Sequence, residues 1–124
     1  MKPLVGRLLE VYRKELEVYR QVLAAVSEEK EALAEDRPLP DIIRSLKHKL
    51  ALIRVIESLD NSILKEKEEF KTRRSSMNLA ETQELSDLIE STRYVIEQII
   101  SVEKANEEFI LRSEGCGGNI QTAR

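Results

Sequence analysis

His48 is the only histidine and Cys116 the only cysteine of the 124-residue chain. Chemistry built on an imidazole or a thiol would have to pass through one of these two. His48 sits in Leu46-Lys47-His48-Lys49-Leu50, where two flanking ammonium groups repel a metal ion. No carboxylate or second histidine follows at the spacing of a helix-borne HExxH-type site. Cys116 lies in Gly115-Cys116-Gly117-Gly118, with nothing beside it that would draw the proton off its thiol. The same stretch lacks the Lys-Ser/Thr that makes a glycine-rich loop a phosphate cradle. One cysteine also excludes a disulfide framework and a multi-cysteine zinc site. The expectation is no catalytic residue, no metal site and no cofactor, hence a protein that is not an enzyme.

Three further groups invite a binding role. Lys71, Arg73 and Arg74 form a basic patch, most simply a solvated helix end complementing the helix dipole. Tyr12 and Tyr19 are seven apart on one helical face, which suits core packing with the hydroxyls at a wet edge. Asn106 stands between Val102 and Phe109 at a position expected to be apolar. It either fixes register as a buried polar residue or belongs to a docking surface. Twenty Lys+Arg against 23 Asp+Glu give a net charge of −3, without the basic excess of a nucleic-acid binder. No apolar run is long enough to span a bilayer. Met1 to Arg7 reads as no signal peptide, so a cytoplasmic, reducing setting is expected, with no nucleic acid and no membrane insertion.

The elements that position these residues follow from periodicity. Charged residues make up 35% of the chain, against 4% aromatic, three prolines and four glycines, a composition of long amphipathic helices. A first helix is predicted over about residues 3–34, with a seam of Leu9, Tyr12, Leu16, Tyr19, Leu23, Val26, Lys30 and Leu33. The steps alternate between three and four, a heptad pattern. Leu4, Val5 and Leu8 extend it, and Val11, Val18 and Val22 widen it. Pro38 and Pro40 break the chain, because neither fits a helix interior. A second helix is predicted over 40–74, with a local kink, a register shift or a solvent-facing stretch near Asp60-Asn61. Asn78 and Glu81 have the spacing of a capping box and open a third helix over 79–112. Its seam is Leu85, Leu88, Thr92, Val95, Ile99, Val102, Asn106 and Phe109, with Ile89, Ile96, Ile100 and Ile110 alongside. The expected architecture is all-α: an elongated antiparallel three-helix, coiled-coil-like bundle over 1–112 and a flexible tail over 113–124. Self-association would add buried area to so thin a core.

Two families resemble parts of the chain. Arg54-Val55-Ile56-Glu57-Ser58-Leu59-Asp60-Asn61-Ser62-Ile63-Leu64 resembles the first helix of the all-helical chorismate mutases. The next turn, Lys65-Glu66-Lys67-Glu68, departs from that family, which continues with apolar residues and an arginine. The broader resemblance, over about 8–111, is to the FlgN-like flagellar export chaperones. It is carried by Leu8-Leu9-Glu10-Val11-Tyr12-Arg13-Lys14-Glu15-Leu16-Glu17-Val18-Tyr19, by Glu28-Glu29-Lys30-Glu31-Ala32-Leu33 before a break, and by Ile99-Ile100-Ser101-Val102-Glu103-Lys104-Ala105-Asn106-Glu107-Glu108. That resemblance implies a cytoplasmic chaperone of flagellar type III export. Its partners would be the terminal helices of hook-associated proteins, kept from premature assembly, and the export apparatus. It places partner binding at Ile99, Val102, Asn106, Phe109 and Ile110. The alternative is a self-associating coiled-coil scaffold with no client.

Overall fold

Helix α1 spans Lys2–Ala34 in a computed structural model that describes residues 2–121, with side chains for residues 4–112. Its one proline, Pro3, sits in the first turn, where a missing N–H costs nothing. At 1.5 Å per residue the helix is about 50 Å long. It closes in a Schellman arrangement: Arg37 N–H donates to Ala32 O at 2.9 Å and Asp36 N–H to Leu33 O at 3.3 Å. That closure requires left-handed backbone, which glycine usually supplies. Here Asp36 adopts it, with φ 54°.

Pro38 caps the next helix and Pro40 lies in its first turn, so the two breakers become a start signal for α2, Leu39–Asn61. The predicted second helix is interrupted where a kink was expected. Ser62 Oγ donates to Leu59 O at 2.6 Å, competing for a helix carbonyl as serine does. Ile63 then leaves helical backbone at φ −122°, ψ 20° and is fully buried. Helix α3 resumes at Leu64–Arg73, and a 3₁₀ turn at Arg74–Ser76 ends that leg. Helix α4 covers Leu79–Gln121. Asn78 Oδ1 accepts the Ala80 N–H at 2.7 Å, the side-chain half of the expected cap.

The backbone of α4 stays helical past Arg112, where its end was expected. Glycine weakens a helix by about 1 kcal/mol per residue but, unlike proline, does not clash with the preceding turn. Residues 122–124 of the expected tail, and the Cys116 side chain, lie outside what is described.

Both legs pack on α1, while α2 and α4 hardly approach each other's backbones. Two contacts give the directions. Ser45 Oγ of α2 donates to Ala25 O at 3.5 Å, and Asn106 Nδ2 of α4 donates to Val26 O at 3.2 Å. With Leu85 meeting the α1 N-terminal half and Ile63 packed there too, α4 runs parallel to α1 and α2–α3 runs antiparallel. The result is the expected up-down-up bundle with its second leg broken.

The core divides in two. One cluster joins Leu4, Val5, Leu8, Leu9, Val11, Ile63 and Leu85. The other joins Leu16, Val22, Ala25 and Val26 to Leu52, Ile56, Val95 and Ile99. The most covered line along α1 includes Leu8, Val11, Glu15, Val22, Ala25 and Ala32. It stands one residue back from the predicted seam, whose Tyr12, Tyr19, Leu23 and Leu33 are only half-buried and whose Lys30 is exposed. Two adjacent seams are needed because α1 seats two legs.

Asp36→Gly removes the Cβ penalty of left-handed backbone. The expected outcome is a gain of about 1 kcal/mol in unfolding free energy, read as a higher urea midpoint with an unchanged slope.

Candidate functional site

The five residues expected to bind a partner separate into two groups. Ile99 lies in the core cluster with Val26 and Ile56, with Val102 packed against it. Asn106 is 4% exposed, and its amide reaches Val26 O of α1. One of the two alternatives for Asn106, a buried register pin, matches this placement. Its Oδ1 is buried without a hydrogen-bond partner. Phe109 and Ile110, by contrast, are 42% and 41% exposed. Ile100 and Leu111, on neighbouring lines of α4, are exposed further, at 59% and 56%. The C-terminal half of α4 thus has an inner line that its own chain closes as far as Asn106, with Phe109 at the open end of that line and Ile100, Ile110 and Leu111 exposed on the flank beside it.

A second open strip lies on α2. Leu39, Ile43, Leu46 and Leu50 are all exposed, and their steps of four, three and four keep them on one face. They stand one residue on from the line that faces α1, which includes Ile42, Ser45, Lys49, Leu52 and Ile56. Lys49 Nζ joins the legs, 3.2 Å from Glu103 of α4 and 3.8 Å from Glu29 of α1.

Two members of the basic patch are satisfied locally. Lys71 pairs with Glu68 at 3.6 Å and Arg73 with Glu69 at 2.7 Å, in the last turn of α3. His48 is exposed and lines a polar hollow with Arg37, Arg44, Glu28 and Asp41. Lys47 and Arg54 are exposed on α2 and do not gather round a closed pocket. Among the described residues no cluster of side chains could hold a metal ion.

Sequence reasoning missed one polar cluster. Glu15 is 5% exposed and lies where the two core clusters meet. Its Oε2 is buried with no hydrogen-bond partner. Burial pushes its carboxyl up to about 7, and the nearby Asp60 carboxylate adds to this while Lys67 opposes it. Asp60 in turn is held by the Lys67 ammonium, which stands 5.8 Å over the Tyr12 ring, within cation–π range. Burial also raises the Tyr12 and Tyr19 hydroxyls. The available signal was the heptad step that puts Glu15 between Val11 and Val18, but a glutamate is rarely assigned to a core.

Two predictions follow from these buried polar groups. A carboxyl whose folded value is raised binds more protons folded than unfolded, so stability falls as pH rises from about 4.5 to about 7. Glu15→Gln is expected to flatten that slope and to stabilise at pH 8 by up to about 3 kcal/mol, read from urea unfolding across pH. Asn106→Leu removes an orphaned acceptor and is expected to gain about 1 kcal/mol in the same assay, while loosening the register that the amide sets against Val26.

Among the described residues no helix is long and apolar enough to cross a membrane. Comparisons with curated proteins and with solved structures give no match. The model of the FlgN protein family matches residues 1–116, which take in α1, α2, α3 and most of α4. With that span of match on an all-helical bundle, the chain belongs to the FlgN family of flagellar export chaperones.

Proposed function

We propose that this chain is a cytoplasmic chaperone of flagellar type III export. It captures the terminal helices of hook-associated proteins, prevents their premature assembly and presents them to the export apparatus. The observation that carries the reading is the apolar surface left open at the C-terminal end of α4, with Phe109 ending the inner line and Ile100, Ile110 and Leu111 on its flank, in a chain whose family binds protein clients. An amphipathic helix recognised by anchors at i, i+3, i+4 and i+7 fits such a strip. Phe109 and Ile110 make direct contact in this reading. Val102 backs them, and Ile99 and Asn106 hold the strip in place from the α1 side.

Asn106 is level with Val26 and α1 runs on to Ala34, so Phe109, Ile110 and Leu111 are open although α1 still runs beside them. Exposed apolar surface of that kind marks an interaction site more often than a packing error.

Phe109→Glu with Ile110→Glu is expected to lower capture of hook-associated terminal helices at least about tenfold, because charged groups would be buried against an apolar partner. Helicity by circular dichroism should stay at the parent level. Val26→Asp, a core change, is the contrast that should unfold the chain. Undiminished capture by the double variant would sink the docking assignment.

A further inference from the structure

We propose that the docking site has two walls, the exposed strip of α2 as well as that of α4, and that its rims select a helix with a carboxylate-bearing edge against α2. This rests on the reading of the chain as a chaperone that captures helices.

The geometry follows from one ion pair and the handedness of helices. Glu103 stands one residue on from Val102, which packs against the core, and it meets Lys49 of α2. The α4 face that carries Glu103 therefore looks toward α2. Ile96, Ile100 and Ile110 lie on that same side, at helical spacing from Glu103. Helix α2 runs opposite to α4, so its residues one step on from the α1-facing line turn toward α4. Those are Ile43, Leu46, Leu50 and Ile53. At the other end the same side of α4 opens on α3: Ile89, Glu90 and Arg93 line a cleft of about 310 Å³ with Phe70 and Arg74. Two apolar walls thus flank a groove whose helices do not close on each other.

The rims differ in charge. From Ile42 to Ile56, α2 holds Arg44, Lys47, His48, Lys49 and Arg54 and no carboxylate. Lys47 and Arg54 are a heptad apart on its outward edge and exposed. Among the described residues neither has an ion-pair or hydrogen-bond partner, whereas Arg44 pairs with Asp41 at 3.7 Å. Across the groove the edge of α4 is mixed in charge, with Glu97, Lys104 and Glu107 all exposed. A helix lying between these rims therefore gains most from carboxylates placed toward α2.

The test uses the full chain and two leucine-striped amphipathic peptides. One carries a glutamate edge and a lysine edge; the other carries lysines on both. The parent chain should bind the first about five- to tenfold more tightly, with the margin shrinking in salt. Lys47→Glu with Arg54→Glu should reverse that preference. Equal binding of both peptides by both chains overturns the charge selection. Binding that is unchanged by Leu46→Glu and Leu50→Glu but lost with Phe109→Glu and Ile110→Glu overturns the second wall and leaves the proposed function standing. Loss in neither pair removes both. A free chain that sediments as a dimer and becomes a monomer with Leu46→Glu makes a second copy the occupant, which also overturns the proposal.

Discussion

Two neighbouring carbonyls of α1 face different helices: Ala25 O accepts from Ser45 of α2 and Val26 O from Asn106 of α4. One helix has to seat two, and the rest of the molecule follows from that. A step of about 100° separates consecutive residues, so two adjacent heptad lines on α1 give each leg a line of its own. Helix α1 consequently contributes most of the buried residues. Each well-covered Leu, Val or Ile there is worth about 1.5–3 kcal/mol. The legs, meeting α1 but scarcely each other, are each left with a flank to spare.

Polar residues at the meeting points decide how the helices slide. Apolar lines tolerate a shift by one heptad, because every layer resembles the next. Asn106 against Val26 and the Glu15–Asp60–Lys67 group have no equivalent one heptad away. A slip would bury a glutamate or an amide against Leu and Val without even its present partners. The break between α2 and α3 belongs to the same device. It lets Ile63 fill the lower core while bringing Asp60 and Lys67 together beside Tyr12. The cost is a carboxyl that keeps its proton to about pH 7.

What the sequence made legible was the regular part. The strict alternation of Leu85 to Phe109 located the inner line of α4, and Pro38, Pro40 and Asn78 located the turns. The second line of α1 was legible only in part: Leu8, Val11, Val18 and Val22 mark it, but Glu15 and Glu29 interrupt it and a period count scores charged residues as solvent-facing. Burial of Glu15 depends on Asp60 and Lys67, which are remote in sequence. Three glycines after Ser113 suggested an end that the α4 backbone passes through, since the propensity cost is spread over residues and no clash enforces a stop. The open strip on α2 has the four-three-four spacing of a core line, and only its sparse approach to α4 shows that α4 does not cover it.

An open apolar groove restricts its occupant chemically. An extended segment lying there would bring unpaired N–H and C=O groups against Leu and Ile, which is costly away from water. A helix brings its backbone bonds already made and presents one stripe. In the proposed reading, a helix laid between the exposed strips of α2 and α4 would turn the three-helix arrangement into a closed bundle. Because the core is organised on α1, such a guest would come and go without the chain having to refold.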